Sequence, residues 1–159
     1  MTPDELHDRL STLADPACKA FGDSLQPGVT DRLGVRMPLV RRVARDVMRT
    51  EDVRAFLNAM LAAGGFASQE ALMVCVIVAG GAKALELEER LAFVDRLLPH
   101  MTGWATCDLT GSAVKVFREN REELIGYVGE KLASDDPWTV RVAEVWLLEH
   151  YLSLIHISE

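Results

Sequence analysis

Ala71-Leu72-Met73-Val74-Cys75-Val76-Ile77-Val78-Ala79-Gly80-Gly81-Ala82 is the longest apolar run in this 159-residue chain, and its reading decides the fold. A membrane-spanning helix needs about 20 such residues, so this run reads instead as the core of a buried helix. Outside Val74–Val78 there are few β-branched clusters, and no stretch sustains the period-two alternation of a half-buried strand. Helix signals recur on both sides of it. Thr2-Pro3-Asp4-Glu5 has the form of a capping box with proline at the first helical position. Helices are expected over about 3–14, 38–49, 51–63, 67–80, 86–101, 103–119, 121–133 and 137–151. Breaks fall at Gly22 to Gly34, Gly64-Gly65, Gly80-Gly81, Thr102-Gly103 and Asp135-Asp136-Pro137. Such short connections imply antiparallel neighbours. Helix pairs begin near 38, 67, 104 and 137, a spacing that suits an all-α, HEAT-like α-solenoid. A compact helical bundle is the competing architecture.

Composition bounds the rest. The length suits one domain with a genuine core, expected over residues 1–151. No basic leader with an apolar segment opens the chain, and no membrane partner is expected. Cys18, Cys75 and Cys107 are widely spaced and lack a CxxC pattern, which suits a reduced, cytoplasmic protein. The four histidines show no ligand spacing with cysteines or carboxylates, so no metal site is expected. The net charge of -7 argues against a general affinity for nucleic acid. It is unevenly spread, however: Arg32 to Arg54 holds seven arginines against three acids, a net +4. Screening confines each charge to about 8–10 Å, so a basic surface on an acidic protein can still meet phosphate locally. A solvated helix face is the plainer reading of the same run.

The chemistry-bearing pattern is Trp104-x-x-x-Asp108. On a helix over 103–119, Trp104, Asp108, Gly111, Lys115 and Arg118 share one stripe. Ala105, Leu109, Ala113, Val116 and Phe117 form the roughly opposite, core-facing one. A core tryptophan belongs on the apolar stripe, and Trp104 is not there. Gly111 in mid-helix costs about 1 kcal/mol against alanine. Close approach of a DNA backbone or of a neighbouring helix would each account for it. Arg141 lies in a nearly all-apolar helix, where a cation wants either a phosphate or a carboxylate partner.

Several segments carry a resemblance. Gly34-Val-Arg-Met-Pro-Leu-Val-Arg-Arg-Val-Ala-Arg45, Gly103-Trp-Ala-Thr-Cys-Asp108 and Lys115-Val-Phe-Arg-Glu-Asn-Arg-Glu resemble motifs of the AlkD-like, HEAT-like DNA alkylation repair glycosylases. Trp138-Thr-Val-Arg-Val-Ala-Glu-Val-Trp-Leu-Leu-Glu-His-Tyr151 continues the match, which spans nearly all of residues 4–151. The resemblance implies a monomer that removes cationic 7- or 3-methylated purines from duplex DNA, without metal or organic cofactor and with the base left in the stack. It gives Asp108 the role of stabilising positive charge on the deoxyribose and orienting water, as in other glycosyl transfers. Trp104 contacts the lesion, Arg141 grips the backbone, and Lys115, Arg118 and Arg36 contact DNA. Glu70 matches a glutamate common in the family. The family's aromatic in the first helical pair has no clean counterpart, Phe21 being nearby.

Magnitudes support these roles. Two unit charges 4 Å apart interact by about 4 kcal/mol at an effective dielectric of 20, close to a thousandfold in rate. An indole face offers a cation about 0.5–2 kcal/mol. Two other functions remain open on the same fold: a non-catalytic binder of branched or unusual DNA, and a protein-interaction scaffold. Finally, residues 152–159, Leu-Ser-Leu-Ile-His-Ile-Ser-Glu, look like a translated sequencing-library adapter. They are read as a non-native tail on a gene whose own sequence continues beyond Tyr151.

Overall fold

A computed structural model describes residues 1–152, so all but the first residue of the expected adapter-like tail lies outside the described residues. The helices are α1 (Pro3–Ser11), α2 (Pro16–Leu25), α3 (Met37–Thr50), α4 (Val53–Ala62), α5 (Gln69–Gly81), α6 (Leu87–Leu97), α7 (Trp104–Ala113), α8 (Val116–Glu119), α9 (Arg121–Leu132) and α10 (Pro137–Trp146). A 3-10 turn follows α6 and a π-helical turn, Leu147–Tyr151, follows α10. Among the described residues there is no strand. No helix there is long and apolar enough to cross a membrane.

The architecture is a HEAT-like solenoid. Helices α3, α5, α7 and α10 pack in that order, each against the next, while α6 and α9 pack against α5 and α10. The four packed helices begin at residues 37, 69, 104 and 137. Those are the repeat starts that the sequence spacing implied. Caps set several of these starts. The Ser68 hydroxyl accepts from the Ala71 amide, and the Asp136 carboxylate accepts from Trp138 and Thr139.

The apolar run from Ala71 lies in α5, in which every residue from Gln69 to Gly80 is buried. At its first turn the buried Glu70 carboxylate accepts three backbone N–H groups, from Leu33 at 3.0 Å, Gly34 at 2.7 Å and Val35 at 3.2 Å. Gln69 beside it accepts from the buried Arg32 guanidinium, whose Nη1 lies 3.6 Å from Asp23 on α2. The first turn of α5 therefore fixes the segment that joins α2 to α3. Glu70 is thereby given a structural role.

Two features depart from the sequence expectation. The 15–37 region holds a helix, α2, that the Gly22-to-Gly34 break obscured, although Asp15 caps it and Pro16 opens it. The expected 103–119 helix is broken after Ala113. Val114 and Phe117 are both fully buried, and the turn at Val114–Lys115 swings Phe117 onto Trp146, with ring centroids 4.5 Å apart. Core packing here outweighs the propensity for one continuous helix. Lys115 and Arg118 consequently leave the Trp104–Asp108 stripe.

Removing the Glu70 carboxylate orphans three amides, each worth about 1–3 kcal/mol when buried without a partner. Glu70→Ala should therefore lower the urea midpoint strongly, with Glu70→Gln intermediate because its amide nitrogen cannot accept. An unchanged midpoint for the alanine variant would remove Glu70 from this role.

Candidate functional site

Helix α7 is buried around most of its circumference. Only Trp104, Asp108 and Ser112, spaced by one turn each, are exposed along it. Trp104 is 39% exposed, whereas Leu109 and Ala113 on the other side are buried. The stripe argument for Trp104 and Asp108 therefore holds over the length of α7.

Asp108 is engaged from α10. Arg141 Nε donates to Oδ1 at 2.9 Å and Nη2 donates to Oδ2 at 3.0 Å, a two-pronged grip between half-exposed groups. Arg141 thus has a carboxylate partner, and that partner is the candidate catalytic residue itself. The guanidinium has five N–H donors, so three remain for another acceptor. The α7–α10 contact that sets this distance depends on Gly111. A Cβ there would stand 2.8 Å from Val145 Cγ1, so close approach of a neighbouring helix accounts for this glycine. Cys107 adds a long thiol contact, 3.7 Å, to the Trp138 carbonyl. Its burial pushes the thiol pKa up to about 12.

Trp104 stands over an apolar hollow of about 190 Å³ whose walls include Phe21 and Leu25 from α2, Met37 from α3 and Met73 from α5. Phe21 and Leu25 are large exposed apolar side chains, 67% and 49% accessible, and lie one turn apart on α2. Residues further along α3, α5 and α7, from Arg41, Ile77 and Ser112 onward, line a second cleft of about 500 Å³. Its cations are Arg41, Arg45, Lys83, Arg90 and Lys115, and Glu119 is its carboxylate. Arg41 donates to the Ser112 hydroxyl at 3.0 Å.

The remaining candidates sit elsewhere. Arg36 lines neither hollow and donates to Asp15 at 2.7 and 3.0 Å, and that hydrogen bonding, with the amides of Cys18 and Ala17, holds the Asp15 carboxyl below the usual range. Arg118 lies 3.6 Å from Glu149 and faces a surface hollow with Glu119 to Glu123. Trp104, Asp108 and Arg141 come together, then, while Lys115 joins the basic cleft one helix length away. Arg41, Arg45 and Lys83 were not singled out from sequence. The four-residue spacing of Met37, Arg41 and Arg45 was the available signal; Lys83 in a loop offered none. Among the described residues no cluster of three or more His, Cys, Asp or Glu side chains is placed to hold a metal ion.

These features define a HEAT-like helical-repeat protein with an exposed indole, an ion-paired carboxylate and a cationic cleft on its row of successively packed helices. The comparison with protein families narrows this. Residues 6–152 match the model described as DNA alkylation repair enzyme, and the chain belongs to that family. No curated protein and no solved structure matches the chain.

The buried thiols provide a check on the rigidity of the α7–α10 contact. Burial raises the pKa of both Cys75 and Cys107, whereas Cys18 is half-exposed. A thiol-specific reagent at pH 8 should label Cys18 in the native protein, and all three only after unfolding. Fast native labelling of Cys107 would mean that α7 and α10 separate readily.

Proposed function

We propose that this protein is a DNA glycosylase that hydrolyses the N-glycosidic bond of cationic alkylated purines in duplex DNA, as a cytoplasmic monomer. The observation that carries this reading is the Asp108 carboxylate, held by the Arg141 fork beside the exposed Trp104. Family membership supports DNA alkylation repair as the process.

A 7- or 3-methylated purine already bears positive charge. When the C1′–N bond breaks, its electron pair goes to the base, which departs neutral, and positive charge moves to the deoxyribose. No acid is needed to protonate the leaving group. An anion next to the sugar is needed, and Asp108 supplies it. Water then adds to C1′ and gives up its proton to the carboxylate or to solvent. The Arg141 grip fixes the carboxylate orientation in advance, which avoids reorganisation during the reaction. Its three other N–H donors are free to meet a phosphate flanking the lesion, so ion pairing and backbone contact are compatible roles. The Trp104 indole favours a base that is cationic over one that is neutral.

The test is release of 7-methylguanine from methylated duplex DNA. Wild type should release it, and Asp108→Asn should lose about a hundred- to a thousandfold in rate while DNA affinity is retained, in line with the loss of one charge interaction. Absence of release by wild type, with binding to branched DNA retained, would replace this reading with a non-catalytic DNA-structure reader. Absence of any salt-dependent DNA binding would leave the protein-interaction scaffold.

A further inference from the structure

His150 is fully buried, 1% exposed, in the π-helical turn that follows α10, and the glycosylase chemistry makes no use of it. Its ring stacks on Phe117 of α8 with centroids 5.8 Å apart, and Phe117 in turn meets Trp146. Neither imidazole nitrogen completes a hydrogen bond of good geometry, and the buried Trp146 Nε1 is unpaired as well. Packing therefore holds the ring in place. Its polar contact on α7 is the Gly111 backbone.

That contact falls at the corner on which the site depends. The break after Ala113 leaves the Gly111 carbonyl without the Lys115 amide that a continuous helix would turn to it; the last such bond runs from the Val114 amide to Thr110. Gly111 is one turn from Asp108 on α7, and Val145, which packs on Gly111, is one turn from Arg141 on α10. The π-helical turn is strapped down from α9. Arg121 Nε donates to the His150 carbonyl at 2.6 Å, and the Tyr151 hydroxyl donates to the Arg121 carbonyl at 3.0 Å.

Among the described residues, the charges that act on the imidazole are Glu149 on its own turn, Arg118 on α8 and Arg121 on α9. Glu149 favours a proton on the ring, and the two arginines oppose it. On α7 and α10, Asp108 and Arg141 are paired with each other and Glu144 is exposed. Burial outweighs Glu149 and holds the imidazole below its ordinary range, so the ring is neutral at neutral pH.

We propose that neutral His150 is a positioning residue that locks the end of α10 onto the end of α7, and that protonation of its ring opens this corner and loosens the Arg141 grip on Asp108. A charged imidazole is poorly housed between the Phe117 ring and two nearby guanidinium groups, and gains water by leaving. The lock stands on the fold alone; its bearing on base release rests on the glycosylase reading. The opened form takes up a proton in the ordinary imidazole range near 6.5, and the locked form only at lower pH. The lock is therefore complete above that range and is lost as pH falls through it.

The three cysteines make the test internal to the protein. Cys107 adjoins Asp108 and its thiol contacts the Trp138 carbonyl of α10, so its labelling reports separation at the grip itself. Labelling uses a pyridyl disulfide, which reacts with thiols in acid. The rate at Cys107 is divided by that at half-exposed Cys18 to cancel the chemistry of the reagent. For wild type the ratio should rise about tenfold from pH 7.5 to 5.5, with one proton taken up per opening and Cys75 in α5 still protected. His150→Gln and His150→Phe, each checked for folding by urea denaturation, should give ratios that do not change with pH. A flat ratio in wild type, or a tenfold rise retained in either folded variant, overturns the lock. Exposure of Cys75 together with Cys107 would mean acid unfolding of the whole domain and also overturns it. Because opening and not base release is read, absence of 7-methylguanine release beside a pH-dependent ratio would count against the catalytic reading alone.

Discussion

Helices α3 and α7, which carry Trp104, Asp108 and the arginines of the basic cleft, both pack on α5, a helix with no exposed side between Gln69 and Gly80. Such a helix cannot choose an orientation by amphipathicity, since it has no polar face to turn outward. Its register is set instead by what its ends bind. At the first turn, Glu70 gathers the amides of Leu33, Gly34 and Val35, and Gln69 holds Arg32. At the last turn Gly80 lets the Ala113 carbonyl of α7 approach where any Cβ would collide. The first contact brings α2, with Phe21 and Leu25, to the Trp104 hollow. The second sets how closely the end of α7 lies against α5, beside the basic cleft. A buried carboxylate would be costly without partners; three charge-assisted hydrogen bonds make it a specific clamp.

The electrostatics follow the same division between committed and uncommitted groups. Arginines on the outside of the 32–54 segment are spent on local pairs: Arg36 on Asp15, Arg49 on Asp46, Arg54 on Glu89. Exposed pairs of this kind contribute little to stability but cancel each other's field. The +4 of that segment is therefore a poor guide to where an anion would sit. Position on α3 matters more: Arg41 and Arg45 turn toward α7, where Lys115 and Lys83 join them.

How much of this was legible in sequence divides along a physical line. Three of the four repeat starts could be read because each carries a side-chain cap or a proline, and the start of α7 because Thr102-Gly103 breaks the chain before it; these are local signals. The Trp104–Asp108 stripe was legible for the same reason. Helix α2 is masked in the sequence because Gly22, Gly28 and Gly34 read as a break, although Asp15-Pro16 is a sound start signal. The break after Ala113 has no local signature at all. It exists because Phe117 packs against Trp146 and Tyr127, residues far away in the chain. Arg141 was recognised as a cation in need of a partner. That the partner is Asp108 depends on two helices meeting at Gly111, which no spacing rule encodes.

The account's central claim is that the ion-paired carboxylate and the indole act together on positive charge, first on the base and then on the sugar. Its most direct test compares single-turnover release of cationic 7-methylguanine and neutral hypoxanthine from otherwise identical duplexes. Selective release of the cationic base, by at least a hundredfold, is the predicted result. Comparable release of both would contradict it, because a site that ignores the charge of the base does not work by the electrostatics described for Trp104 and Asp108.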